Sequence, residues 1–171
     1  MILLIGGGTH TGKTLAAQRV LEKYSYPYLS IDHLKMGLIR SGMCPLSPES
    51  PDEELTSFLW GMIREIVKTA IENNQNLVVE GCYIPFDWKK DFTQACREKI
   101  RYVCLIFSEN YIQRHYHDIL NYENVIEKRM ENASFTREEL MRENRDNLEK
   151  CRSCGCDYLL IDEPYNVEIV L

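Results

Sequence analysis

Eight consecutive residues, Gly7-Gly8-Thr9-His10-Thr11-Gly12-Lys13-Thr14, combine three kinds of chemistry in one short stretch. The glycines let the backbone turn sharply, so that the N–H groups of Thr9, His10 and Thr11 can converge on one anion. Lys13 adds a positive charge on a flexible stem, and Thr14 adds a hydroxyl suited to a hard cation. The spacing is Gly, four residues, Gly, Lys and Ser or Thr, set between the apolar run Ile2-Leu3-Leu4-Ile5 and a helical pattern. That context specifies a loop that cradles the phosphates of a nucleotide, with the following helix presenting its positive end to them. Gly7 to Thr14 are therefore the candidate nucleotide-binding residues, with the ring of His10 turned outward. Lys13 would reach the β and γ phosphates, and Thr14 would hold the magnesium ion that bridges them.

Two carboxylates stand where the same chemistry needs them. Glu80 closes the apolar run Leu77-Val78-Val79, the position of a second acidic group that holds magnesium directly or through water. Asp32 follows a second short strand, on the edge where ligands of open α/β sheets gather. It has two readings: a base that takes the proton of an acceptor hydroxyl, or the N-cap of a helix that starts at that point.

The elements that must position these groups can be read from periodicity. Residues 2–5, 28–31, 77–80, 101–107 and 158–161 are short apolar runs of strand type, and helical patterns separate them. Helices are expected over 14–24, from Asp32 to a stop at Gly42, and over 51–73, with a further one between the third and fourth strands. The 51–73 helix carries Leu55, Phe58, Leu59, Met62, Ile63, Ile66, Val67, Ala70 and Ile71 at three- and four-residue spacing, and Ser50, Pro51 and Glu53 form its start signal. Trp60 lies beside that stripe and reads as packing. Strands alternating with helices specify an α/β protein with a mostly parallel sheet covered on both faces.

Residues 121–151 differ in character, being rich in Glu, Arg and Asn and poor in large apolar side chains. That composition excludes a core element and points to a mobile flap. Thr136 and Glu139 nevertheless form a capping box, with Phe135 placed to staple onto Leu140. Arg142 is spaced to pair with Glu138, and Arg145 with Glu149.

These features resemble the P-loop kinases that include adenylate, shikimate and gluconate kinases, the chloramphenicol phosphotransferases and the zeta-toxin group. The resemblance rests on GGTHTGKT at 7–14, SIDHLKMGLIRSG at 30–42, LVVEG at 77–81 and an arginine-bearing stretch after the fourth strand. It implies a three-layer fold with a five-stranded parallel sheet, one domain over 1–171, an acceptor-binding helical region over about 32–75 and a lid over about 115–150. It also implies that Asp32, Lys35, Arg40 and Gly81 face the acceptor, while Arg114, Arg129 and the arginines of the polar helix, Arg142 and Arg145 among them, face the transferring phosphates. ATP and Mg2+ are the implied cofactors. Adenylate-kinase-like chains carry an arginine soon after Gly81, whereas here Cys82-Tyr83-Ile84-Pro85-Phe86 follows. That departure favours an alcohol or other small metabolite as acceptor over a nucleoside monophosphate. Two alternatives stay open at this point: a nucleoside monophosphate kinase, and a nucleotide-binding switch with no specific acceptor.

Composition narrows the classes further. With 171 residues, 44% hydrophobic and 27% charged, the chain has the size and balance of one globular domain. A net charge of -6, with no dense run of Lys and Arg, argues against nucleic acid as partner. Gly6 ends the first apolar run too early for a signal-peptide core or a membrane span, so a cytoplasmic protein, monomeric or homodimeric, is expected. Seven scattered cysteines read as reduced thiols rather than a disulfide framework, and the Cys151, Cys154, Cys156 cluster lacks an evident fourth ligand for a metal.

Overall fold

A computed structural model of the chain describes residues 1–121 and 136–171. Among them, five strands form one sheet in the order β2-β3-β1-β4-β5, with every neighbouring pair parallel. The strands are β1 (Ile2–Gly7), β2 (Tyr28–Ser30), β3 (Leu77–Glu80), β4 (Ile100–Phe107) and β5 (Tyr158–Ile161). The helices are α1 (Lys13–Tyr24), α2 (Ile31–Arg40), α3 (Asp52–Glu72), α4 (Gln94–Arg97), α5 (Glu109–Asn121) and α6 (Arg137–Cys154). The expected α/β class and parallel sheet are thus present. The expected helix between β3 and β4 is smaller than its sequence length suggests: a 3-10 turn at Trp88–Asp91 and the single turn of α4.

The central strand shows why its sequence is apolar throughout. Ile2 and Leu4 pack into a core with α3, while Leu3 and Ile5 point the other way into a core with α1 and α5. All four are fully buried, because a strand covered on both faces has no solvent side. The chain leaves β1 toward one edge of the sheet and β3 toward the other, so a crevice opens at their carboxyl ends. Ile5 pairs with Glu80 across that opening, which places the phosphate loop and the β3 carboxylate side by side.

Helix α3 buries Leu55, Leu59, Trp60, Ile63, Val67, Ala70 and Ile71, whereas Ile66, counted in the expected stripe, is exposed. Its start also differs from expectation. The helix opens at Asp52 with Pro51 in the cap position, and Ser50 Oγ turns back to accept from Ser47 N at 3.0 Å. Asp52, Glu53 and Glu54 in the first turn meet the helix's positive end instead. Likewise Ser30, not Asp32, takes the cap position of α2, which leaves Asp32 inside the first turn.

The largest departure concerns α6. Its capping box is present, with Glu139 N donating to Thr136 Oγ1 at 3.2 Å and Thr136 N donating to Glu139 Oε2 at 2.9 Å. Phe135 and Arg129 lie outside the described residues. However, α6 is a core element: Leu140, Asn144 and Cys151 are buried against the sheet, one stripe at spacings of four and seven residues. The reading missed this stripe because its middle member is polar. Asn144 Oδ1 accepts from Phe107 N at 2.8 Å and its Nδ2 donates to Leu140 O at 2.8 Å, so a buried amide joins α6 to the end of β4. Arg145 pairs with Glu109 of α5 at 2.6 Å rather than with Glu149.

Replacing Asn144 by Leu leaves the Phe107 N–H buried without an acceptor. The expected cost is about 1–3 kcal/mol, read as a lower urea midpoint with an unchanged slope; an unaltered midpoint would show that this amide does not hold α6 in place.

Candidate functional site

The phosphate loop turns where the sequence places its glycines. Gly7 has φ +137° and Gly12 φ +84°, and side chains there would strike Leu105 O and the Tyr165 hydroxyl respectively. His10 takes a left-handed conformation at φ 63° without being glycine, so the loop is held by its surroundings rather than by local preference. The Thr11 hydroxyl donates to Gly8 O at 2.8 Å and closes the turn. Helix α1 starts at Lys13, directly behind it.

Lys13 is buried, with Nζ donating to Gly8 O at 2.7 Å. Burial alone would pull its ammonium down, yet Cys82, Glu80, Glu143 and Asp32 around it hold its pKa above the ordinary lysine value. The cation is therefore fixed. Glu80, almost fully buried, shows the reverse balance: burial raises its carboxyl above the usual range, while Lys13 and hydrogen bonds from Ser30 and Thr14 oppose the rise. Thr14 Oγ1 donates to Glu80 Oε1 at 3.3 Å, so the hydroxyl and carboxylate expected to share a magnesium ion do meet. A hydroxyl and a carboxylate are hard oxygen donors of the kind that ion takes, and they lie beside a loop built to hold anions.

Asp32 joins this group from α2. It pairs with Lys35 at 3.0 Å and contributes to the field at Lys13 and Glu80. Lys35 also donates to the Tyr83 hydroxyl at 2.9 Å, and its charge lies 4.9 Å from that ring's centre. Burial would lower its pKa, but Tyr83 and Asp32 keep it raised. Arg40 is not brought into the cluster: it is exposed at the far end of α2, roughly 12 Å along the axis from Asp32. Gly81 serves the fold at the same place, since a side chain on it would sit 2.8 Å from Ile31 Cβ and push α2 off β3. Arg114 pairs with Glu163 at 3.3 Å on the segment after β5.

That segment holds a residue that sequence reasoning missed. Tyr165 lies over the loop, its hydroxyl donating to Thr11 O at 3.4 Å and its ring set beside Phe107 and Tyr111. Burial raises its phenol to about 12. Nothing local marks Tyr165 in the sequence, because its partners Thr11, Phe107 and Tyr111 are all distant along the chain. Two more missed residues are Cys82, which stands beside Lys13 after Gly81, and Glu143 of α6. Both oxygens of Glu143 accept from Thr9 N at 3.1 Å, so a carboxylate lies against one of the main-chain donors expected to face an anion. Glu143 stands three residues after buried Leu140, on an inward face of α6 that only the structure reveals.

A cavity of 730 Å3 opens beside the loop, within the range of small-molecule sites. Its walls come from α3, the 82–86 segment and α6, and include Asp52, Trp60, Cys82, Phe86, Tyr102 and Glu143. Asp32, Lys35 and Arg40 are not among the lining residues. Trp60 is held in the wall by its Nε1, which donates to Asp91 Oδ2 at 2.8 Å.

No protein-family model matches the chain, and no curated protein does. Solved structures do. A shikimate kinase from Bacteroides thetaiotaomicron superposes with a TM-score of 0.58 at 17% identity, covering 95% of this chain and 86% of that one. A protein described as a putative kinase from Chloroflexus aurantiacus gives 0.57 at 16% identity, covering 97% and 88%. A deoxyadenosine kinase from M. mycoides gives 0.53 at 12% identity, covering 98% and 93%. The chain therefore has the fold of the P-loop small-molecule kinases, over almost its whole length.

The charge balance of the site is testable without a ligand. Burial lifts Glu80 and Glu143, so the native state binds their protons more tightly than the unfolded chain, and the contribution of these two groups to stability falls as pH rises above about 4.5. Replacing Lys13 by Met removes the cation that opposes the lift. The stability deficit of the variant should therefore be larger at pH 8 than at pH 5 in paired urea unfolding; a deficit independent of pH would show that Lys13 does not neutralise these carboxylates.

Proposed function

We propose that the protein is a kinase that transfers the γ-phosphoryl group of ATP to a small molecule bearing a hydroxyl group. The observation that carries the reading is the meeting of the glycine-rich loop, a buried Lys13 and the Thr14–Glu80 pair, with a cavity large enough for a metabolite beginning at Gly7 of the same loop. The kinase fold of the structural neighbours supports the same class.

In this reading the backbone N–H groups of residues 8–14 and the Lys13 ammonium bind the β and γ phosphates. Lys13 exchanges Gly8 O for a phosphate oxygen, a change that keeps its charge paired. Thr14 and Glu80 are the residues that would hold magnesium, an ion that would offset the negative charge that builds up during transfer. Asp32, within the field of Lys13 and steadied by Lys35, stands outside the cavity lining, and its role as the base that takes the acceptor hydroxyl's proton is assigned from its place after β2 and from the resemblance. Arg114 lies on the nucleotide side, next to the segment that carries Tyr165, and is free to exchange Glu163 for phosphate, since both partners are exposed. Arg129 is assigned to the transferring phosphate on the resemblance alone. The 730 Å3 cavity holds the acceptor, with Trp60 and Phe86 as its apolar walls. Cys82 stands near the place where an arginine would greet a nucleoside monophosphate, which supports a different acceptor.

Screening hydroxylated metabolites for ADP release should yield at least one that raises it well above the water background. With that acceptor, Asp32→Asn should lower kcat by about 10²–10⁴-fold with ADP affinity kept, and Lys13→Ala should abolish turnover. ATP hydrolysis that no metabolite accelerates would overturn the kinase reading in favour of a nucleotide switch; full turnover in Asp32→Asn would remove the base assignment alone.

A further inference from the structure

Burying a carboxylate costs free energy unless it is paired and hydrogen-bonded, so each buried one calls for a reason. Glu143 is such a group. Burial lifts its pKa, and Asp52 nearby lifts it further, against the pull of Thr9 and Lys13. The side chain gains no partner on its own helix in exchange. Instead it reaches the phosphate loop, where both its oxygens accept from Thr9 N at 3.1 Å and one lies 3.5 Å from Thr9 Oγ1. The contact is possible because Gly8 has no side chain: a Cβ there would lie 2.9 Å from the Glu143 carboxylate. A negatively charged, two-oxygen group thus rests on the main-chain donor and in the field of the ammonium that the nucleotide phosphates require.

We propose that Glu143 is a built-in competitor of the nucleotide, a carboxylate latch that occupies the phosphate position of the loop and must be displaced before the terminal phosphates can bind. The proposal rests on the phosphate-loop reading above. One N–H cannot serve a carboxylate and a phosphate at the same point, and two such anions in contact repel. The displaced side chain has a place to go, since Glu143 also lines the 730 Å3 cavity. Helix α6 can therefore stay docked through Leu140 and Asn144 while the carboxylate alone turns away. The arrangement has a further consequence: the same carboxylate that leaves the loop enters the acceptor's space, so arrival of nucleotide changes the wall that the acceptor meets.

A latch that is closed in most molecules lowers apparent affinity by the fraction left open, so about 90% closure corresponds to a tenfold weakening. The test is titration calorimetry of magnesium-ATP and of AMP with the wild-type protein, Glu143→Gln and Glu143→Asp. The Gln variant removes the charge; the Asp variant keeps it but shortens the arm that reaches Thr9. Both should bind magnesium-ATP about tenfold more tightly, with AMP affinity changed little, because AMP lacks the phosphates for which the latch competes. Tightening in Glu143→Gln without tightening in Glu143→Asp would reduce the effect to general electrostatics and overturn the latch. Unchanged or weaker binding in both variants, with wild-type binding intact, would overturn it as well and leave the phosphate-loop reading standing. Failure of all three folded proteins to bind nucleotide would instead bring down the phosphate-loop reading itself.

Discussion

The arrangement of the site depends on one buried ammonium. Lys13 sits out of water at the start of α1, a position that costs free energy unless negative charge surrounds it, and Glu80, Glu143 and Asp32 supply that surround from three different parts of the chain, with the Cys82 thiol beside them. Each is placed by a separate element: β3 brings Glu80, α2 brings Asp32, the segment after β3 brings Cys82, and α6 brings Glu143. The sheet order makes this convergence possible, because β1 lies between β3 and β4 and all the strands point their carboxyl ends to the same edge. The positive charge is thereby held at the loop proposed to bind phosphate, with the protein's own carboxylates around it.

The cavity and the loop share walls rather than merely lying near each other. Gly7 and Glu143 belong to both, and α3, whose apolar face packs on β1, turns its amino-terminal half toward the opening. In the proposed reaction, a nucleotide on the loop and an acceptor in the cavity would be neighbours across Gly7, the closeness that phosphoryl transfer asks of a protein that mainly positions and neutralises.

Much of the fold was legible because burial on both faces leaves a simple mark. Ile2 to Ile5, Leu77 to Val79 and Tyr102 to Phe107 of β4 are apolar without interruption. The loop was legible because its function lies in consecutive residues. What escaped was whatever depended on distant partners. Asn144 looks like a surface residue until Phe107 N is seen to need an acceptor, and this hid the buried stripe of α6. Glu143 and Tyr165 reach the loop from more than a hundred residues away, Glu143 to Thr9 and Tyr165 to Thr11, so no local spacing announces them. Ser50 carried a sound capping signal that Ser47 captured, since a serine hydroxyl serves a turn as readily as a helix. Arg40 followed Asp32 in a motif, yet two helical turns separate them in space.

The central claim is that residues 7–14 wrap their main-chain N–H groups around nucleotide phosphates. Amide hydrogen exchange with and without magnesium-ADP tests it most directly, because it reads those N–H groups themselves. The account predicts slowed exchange concentrated in the 7–14 loop and the first turn of α1. Exchange in that loop left unchanged at saturating magnesium-ADP, or protection confined to another part of the chain, would contradict it.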